Sequence, residues 1–430
     1  MKKEKVKKIM ALLIVLFMVT SCVMMAGTVM AKKEDSGKEG HEQKVAEGLL
    51  PMEKIVKSEV RIPPVGQPLG QPPQIPPPFP VTVTTLTLPD DAQHLSWSPD
   101  SRTLVFQLYD SDGDDWEIYT IRVDGSNLRR LTDNDACDNH PTFTPDGRKI
   151  IFVRNFEEVG NDHAEIWRMN PDGSNQEEIS PTGDTICRGK YFGISPDGRK
   201  VLYRYDDDPI YELDIGTGIE TQLADDSYPP EYPKYSPDGS KILYRDGGCY
   251  LHVMDADGAG DSELEDDYVK YFDWSPDGSK IVYTHNDESP YGLCLINPDG
   301  TGFEYVLETD DYCAGFPDWS PQGNWITFVY GPQSDSGYDS DIRIISTDGS
   351  VQYSLTGPFD RCGLYTDPTF SPDGTKIVFV AEGSSIDIFL IDGIPVPSKV
   401  PTLMPVGIIA LVGLLSVIAA ISITRRREGK

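Results

Sequence analysis

The feature that most constrains this chain is a phrase close to Ser-Pro-Asp-Gly. It returns seven times, with its prolines at Pro99, Pro145, Pro196, Pro237, Pro276, Pro321 and Pro372. The copies lie 39 to 51 residues apart, the period of propeller blades whose insertions are taken up in loops. Each unit has one internal order: an apolar or aromatic stretch, the turn, a β-branched and aromatic stretch, a variable loop, a further strand, an Asp-Gly turn and a last short strand. In the fifth copy the pattern predicts strands at Tyr271–Ser275, Lys280–Thr284, Gly292–Asn297 and Phe303–Leu307.

Turn chemistry supports antiparallel pairing. Proline pre-sets φ for the first corner of a type I turn, Asp suits the second, and Gly supplies the left-handed position that feeds the next strand. The second turn, as at Asp124-Gly125, Asp172-Gly173, Asp257-Gly258, Asp299-Gly300 and Asp348-Gly349, is a strong hairpin signal. Four strands repeated seven times predict an all-β, seven-bladed propeller of four-stranded antiparallel blades, which leaves few exposed edges. A linear solenoid is the rival. The ragged start decides against it: residues 81–88 read as an extra strand, while the seventh copy stops after its third, at Ile391-Asp392-Gly393. The first strand is therefore expected to complete the last blade.

Two of these units, His140-Pro-Thr-Phe-Thr-Pro-Asp-Gly-Arg-Lys-Ile-Ile-Phe and Asp367-Pro-Thr-Phe-Ser-Pro-Asp-Gly-Thr-Lys-Ile-Val-Phe, resemble the WD-like repeats of TolB-type propellers, also found in dipeptidyl and prolyl peptidases. The resemblance covers about three-quarters of the chain and implies the fold; such propellers serve as platforms, gates and docks, so it names no activity. The sequence departs from the pattern where Ser101 replaces the turn glycine and Gln322 the aspartate, and it carries no counterpart of TolB's N-terminal mixed domain.

The flanks divide further. Residues 1–31 have the basic head and apolar run of a secretory signal, cut after Ala31. Lipidation at Cys22 within Val19-Thr20-Ser21-Cys22, or no cut at all, are the alternatives. Residues 32–62 are charged and largely unstructured in expectation, and 63–80 form a proline-rich linker of polyproline II character. The propeller spans 81–393 and a tether 394–403. The apolar stretch 404–424 is long enough to cross a bilayer, and Arg425, Arg426 and Arg427 in the tail 425–430 hold that end in the cytoplasm. The order of Val400-Pro401-Thr402-Leu403, apolar helix and basic cluster also resembles the sorting signals of exosortase- and archaeosortase-type enzymes. The expected location is thus extracytoplasmic and membrane-anchored.

Asp and Glu number 69 against 38 Lys and Arg, a formal net charge of −31. Nucleic acid is excluded as a partner, since phosphate affinity rests on basic residues releasing counterions. Many acidic residues fall in the connections between blades: Asp90, Asp91, Asp133, Asp135, Asp138, Asp184, Asp225, Asp226, Asp266, Asp267, Asp310, Asp311 and Asp360. In a ring these connections share one face, and they predict an acidic rim able to gather cations or dock a basic surface, or simply a solvated set of turns. Asp110, Asp112 and Asp114 alternate as calcium ligands do. The match stops there, because Ile121 stands where an EF-hand has its Glu. No other cofactor is expected.

Cys137, Cys187, Cys313 and Cys362 each precede a repeat turn in an inter-blade connection. Their blades pair them as Cys137 with Cys187 and Cys313 with Cys362, provided the Cα atoms come within about 7 Å. Cys249 and Cys294 are expected as buried thiols in third strands. The six histidines are dispersed, with His94 and His140 read as repeat-structural. Trp97, Phe143, Tyr235, Trp274, Trp319 and Phe370 recur at one place in the unit and are expected to pack blade on blade.

No Gly-x-Ser-x-Gly elbow, His-Glu-x-x-His helix or phosphate loop occurs. On that basis the expected function is a cell-surface module that binds a protein or a surface glycan without catalysis. The alternatives are a metal-dependent hydrolase or lyase using the propeller channel, or a structural component of the envelope.

Overall fold

The computed structural model describes residues 59–60, 77 and 79–394, apart from 112, 114, 159–160, 181–191, 205–208, 224–229, 266–267, 286–290, 310–311, 333–339, 357–362 and 383–385. The signal, the charged segment as far as 58, the tether and the apolar C-terminal stretch lie outside these residues. Among the described residues no helix is long and apolar enough to cross a membrane.

Seven antiparallel sheets follow one another in sequence order, six of them four-stranded. In the fifth blade the strands are Val269–Trp274, Ile281–His285, Tyr291–Ile296 and Glu304–Thr309, each within two residues of the positions read from the sequence. Second strands are apolar on both faces because each is sandwiched between neighbouring blades. Leu104, Val105 and Phe106 are fully buried, as are Ile242, Leu243 and Tyr244.

The recurrent phrase is explained by its hydrogen bonds. In blade five the Ser275 hydroxyl donates to Asp277 Oδ1 (2.8 Å) and accepts the Lys280 amide (2.9 Å). The Ser279 amide donates to the same Asp277 oxygen at 3.0 Å, and the Gly278 amide to Ser275 O at 2.9 Å. Gly278 sits at φ 70°, a region that costs other residues about 1–2 kcal/mol. The turns also stack around the ring: a Cβ on Gly147 would lie 3.3 Å from Pro99 Cδ, and Gly198, Gly239 and Gly278 face Pro145, Pro196 and Pro237 in the same way. Between blades, the indole N–H of Trp274 donates to Lys234 O at 3.3 Å and that of Trp97 to Thr369 O at 3.2 Å. The six repeated aromatics are all buried, as expected for blade packing.

The ring closes as the ragged ends predict. Thr82–Leu86 pairs antiparallel with Ile386–Asp392, from Thr82 opposite Asp392 to Leu86 opposite Ile388. A two-residue strand, Glu59–Val60, adds itself outside Thr82–Leu86 and makes this sheet five-stranded. Both departures from the turn phrase fasten onto this last blade: Ser101 Oγ accepts the Asp373 amide at 3.0 Å, and the Gln322 side-chain amide donates to Asp373 O at 3.0 Å.

Candidate functional site

The first strand of each blade is innermost. In six of them a register shift interrupts the pairing with the second strand, and such bulges turn side chains out of the regular alternation. At five residues before the turn proline the backbone is left-handed at His94 (φ 51°), His140 (φ 52°), Tyr232 (φ 55°), Phe316 (φ 50°) and Asp367 (φ 50°). Tyr271 holds this place in blade five without the left-handed φ, and Tyr191, in blade three, lies outside the described residues. Non-glycine residues in this region are strained by about 1–3 kcal/mol each, and such strain gathers at functional sites.

These side chains face an axial cavity of about 740 Å³ to which every blade contributes. Neighbouring members of the ring stack on one another with one shared geometry. His94 and His140 have ring centroids 3.9 Å apart and planes 34° apart; for Tyr271 and Phe316 the values are 3.9 Å and 33°.

Two residues further along the same strands, in the next layer, stand Lys234, Asp273 and Asp318. Lys234 Nζ is 3.1 Å from Asp273 Oδ1 and donates to Phe272 O at 3.1 Å. Asp273 and Asp318 each brace the following blade, accepting the amides of Trp319 (3.3 Å) and Phe370 (2.8 Å). Burial drives the Asp318 carboxyl well above the usual range, and the nearby Asp273 carboxylate adds to the effect. Burial likewise raises Asp367 to about 6, against the pull of Lys234. For Lys234 burial works against the charge, yet Asp273, Asp318 and Asp367 together hold its pKa above that of an ordinary lysine. One cavity therefore holds an ammonium group, a carboxyl whose hold on its proton burial strengthens, and a carboxyl that titrates near 6. This is the equipment of proton transfer with charge stabilisation.

Most of the predicted acidic rim lies outside the described residues: Asp184, Asp225, Asp226, Asp266, Asp267, Asp310, Asp311 and Asp360. Asp90, Asp91, Asp133 and Asp135 are partly or fully exposed, with Asp133 3.0 Å from Arg130. Asp138 is a correction. It is fully buried, with Arg154 donating to both its oxygens at 2.7 and 2.9 Å, because it already belongs to the strand Cys137–Phe143. Of the calcium candidates, Asp112 and Asp114 lie outside the described residues, while Asp110 is held by Arg130 at 2.7 Å.

Cys137 opens the first strand of blade two and Cys313 lies in that of blade six; Cys187 and Cys362 fall outside the described residues. Cys294 is buried in a third strand as expected. Cys249 is not: it is half-buried in a tight turn at φ 69°, which forms because Asp246 Oδ1 accepts the amides of Gly248 (2.9 Å) and Tyr250 (2.8 Å).

The histidines read as scattered and structural include the pair that meets in the cavity. Lys234, Lys270, Asp318 and Asp367 were missed as site residues. For Lys234, Asp318 and Asp367 the signal is positional, since at five and three residues before each proline the repeat keeps its place but changes its chemistry; Lys270 adjoins such a position, one residue before Tyr271. Among the described residues, no group of three or more His, Cys, Asp or Glu is placed to hold a metal ion. They do not fit such a centre.

Comparison with known proteins gives a family. The TolB beta propeller domain matches over residues 91–265 and 192–360. The chain belongs to the TolB β-propeller family. One curated relative of this TolB-type chain, the uncharacterized protein Atu1656 of Agrobacterium fabrum, is 30% identical over 135 residues, 30% of this chain and 41% of that protein. The chain thus spans about two-fifths of that relative's length.

Among solved structures, the oligogalacturonate lyase of Vibrio parahaemolyticus superposes with a TM-score of 0.58 at 17% identity, covering 73% of this chain and 93% of the other. An oligogalacturonate lyase in complex with manganese gives 0.59 at 16%, covering 75% and 98%. At this identity the likeness is one of fold.

The comparison nevertheless overturns the expectation of a binding module without chemistry, because propellers matched along nearly their whole length are enzymes and one carries a metal ion. The expectation of no cofactor beyond calcium is withdrawn with it. The error has a physical source. Absence of contiguous motifs says little in a propeller, which assembles a site from one or two residues per blade, each about 40 residues from the next.

Proposed function

We propose that this TolB-type propeller is a lyase that cleaves an acidic oligosaccharide in its axial cavity, displayed outside the cell by the signal and apolar anchor read from its ends. The observation that carries this is the meeting of Lys234, Asp318 and Asp367 in one cavity. Its size suits a ligand of a few rings. The fold-level likeness to oligogalacturonate lyases supports the substrate class.

A uronate is cleaved by elimination when a base removes the proton on the carbon next to the carboxylate and the glycosidic oxygen leaves from the adjacent carbon. The C–H and C–O bonds break, a C=C bond forms, and the leaving oxygen takes up a proton. Asp367, ionised above about pH 6, is the base. Asp318, whose hold on its proton is strengthened by burial and by the Asp273 carboxylate, supplies a proton to the leaving oxygen. The Lys234 ammonium, held in place by Asp273, lies against the substrate carboxylate and stabilises the charge that builds there as the proton departs.

The test is to incubate the full chain with oligogalacturonates and follow ultraviolet absorbance of a double bond conjugated to the carboxylate, with product masses in parallel. Elimination gives fragments whose masses sum to that of the substrate. Fragments heavier by one water would mark a hydrolase instead, and no cleavage of any uronate polymer would end the lyase reading.

A further inference from the structure

The ring of residues five before each turn proline divides into two arcs of different chemistry. In blades seven, one and two it carries Asp367, His94 and His140, groups that exchange protons. In blades four, five and six it carries Tyr232, Tyr271 and Phe316, which do not exchange protons near neutrality. Each arc contains one stacked pair at the same 3.9 Å separation, so the scaffold places both alike and only side-chain identity differs. The aromatic arc is also the one with cations. Lys234 and Lys270 line the cavity from blades four and five, Lys270 Nζ lies 5.5 Å from the Tyr271 ring centre, and the Arg245 guanidinium covers Tyr232 at 4.9 Å.

A pyranose presents a face of C–H groups, and laying it on an aromatic surface removes apolar area from water on both sides. A uronate adds a carboxylate at the edge of that face, which needs a cation. We propose that Tyr232, Tyr271 and Phe316 form the sugar-binding subsite, seating one uronate ring with its carboxylate between Lys234 and Lys270 and its reacting carbon toward Asp367. The proposal rests on the lyase reading and assigns to the two halves of the cavity separate tasks, holding and proton transfer. The packing of Tyr271 on Phe316 and of the Arg245 guanidinium on Tyr232 holds these rings before substrate arrives, so little ordering is left for binding to supply.

The experiment compares Phe316→Ala, Phe316→Leu and Tyr271→Ala with Asp367→Asn in the full chain, using trigalacturonate as probe. Calorimetry gives Kd, kinetics give KM and kcat, and thermal melting checks folding. The arc variants should weaken Kd and raise KM by about 10- to 100-fold, the loss of one well-buried aromatic contact, with kcat within a few-fold. Phe316→Leu, which keeps apolar bulk without the flat face, should fall between wild type and alanine. Asp367→Asn should bind trigalacturonate as wild type does while kcat collapses.

Arc variants that melt like wild type and bind with unchanged Kd would overturn the subsite while leaving the lyase reading intact. Wild-type protein that binds trigalacturonate through the arc without turning it over would remove the lyase reading and keep the subsite. Wild-type protein that does not bind trigalacturonate would overturn both.

Discussion

The innermost strands carry two regions a few residues apart that behave in opposite ways. At the turn end, serine, aspartate and glycine recur almost unchanged, and the serine and aspartate side chains are satisfied inside their own turn. Local hydrogen bonds hold Asp146, Asp197, Asp238, Asp277 and Asp373 below the usual carboxylate range, to about 2 for Asp238. At the cavity end the same strands present histidine, tyrosine, phenylalanine, lysine or aspartate at equivalent positions. There burial lifts Asp318 and Asp367 instead. Repetition marks what builds the ring, and variation at a fixed position marks what the ring is for.

The contrast breaks most severely at Lys234. Lys234→Met should lower turnover of oligogalacturonate by about 10²–10³-fold, the scale of losing one preorganised charge contact in the transition state. Melting should show the fold retained. A variant with wild-type turnover would place the chemistry elsewhere.

Next in size are opposite responses to pH. Activity should rise as pH climbs through about 6, where Asp367 ionises. Stability should show the other sign. Because the folded pKa of Asp367 is raised, its stabilising contribution is complete below the unfolded value near 4 and is lost as pH rises through about 6. Asp238, whose folded pKa is depressed, contributes above about 4 and loses that contribution as pH falls toward 2. Melting curves should therefore lose their decline between pH 4 and 6 in Asp367→Asn and flatten below pH 4 in Asp238→Asn. Identical pH profiles in the two variants would erase the distinction between the regions.

A smaller effect is expected in the turn ring. Gly147→Ala places a Cβ against Pro99 at a left-handed φ of 67°, and should cost about 1–2 kcal/mol in denaturant melts without altering KM. The smallest belongs to Ser101→Gly. It relieves left-handed strain at φ 59° and removes the bond from the Asp373 amide, two terms of about 1 kcal/mol each with opposite sign.

The same contrast sets how far the sequence can be read. Blade number, turn geometry and the closing strand were legible because each rests on local rules repeated seven times: proline before aspartate and glycine, and a strand too many at one end with one too few at the other. The cavity was not, because its members come together only through ring closure. His94 and His140 lie 46 residues apart in the chain and are stacked in space. Asp138 was read as rim from its place in a connection, while the Arg154 that buries it sits on the next strand. Cys249 was given to a strand although Asp246-Gly247-Gly248 before it is itself a turn signal, and there Asp246 folds the chain into a turn before the strand begins.

The strand Thr82–Leu86 lies in the same sheet as the strand that carries Asp367, separated from it only by Ile386–Asp392 and Lys376–Glu382. The base of the proposed reaction thus belongs to a sheet made from both ends of the array. A chain made from its N-terminus possesses every other blade before it possesses this one, so no molecule cut short within the array has a complete cavity. Closure acts as a test of wholeness, and only intact molecules would expose a working site to their surroundings.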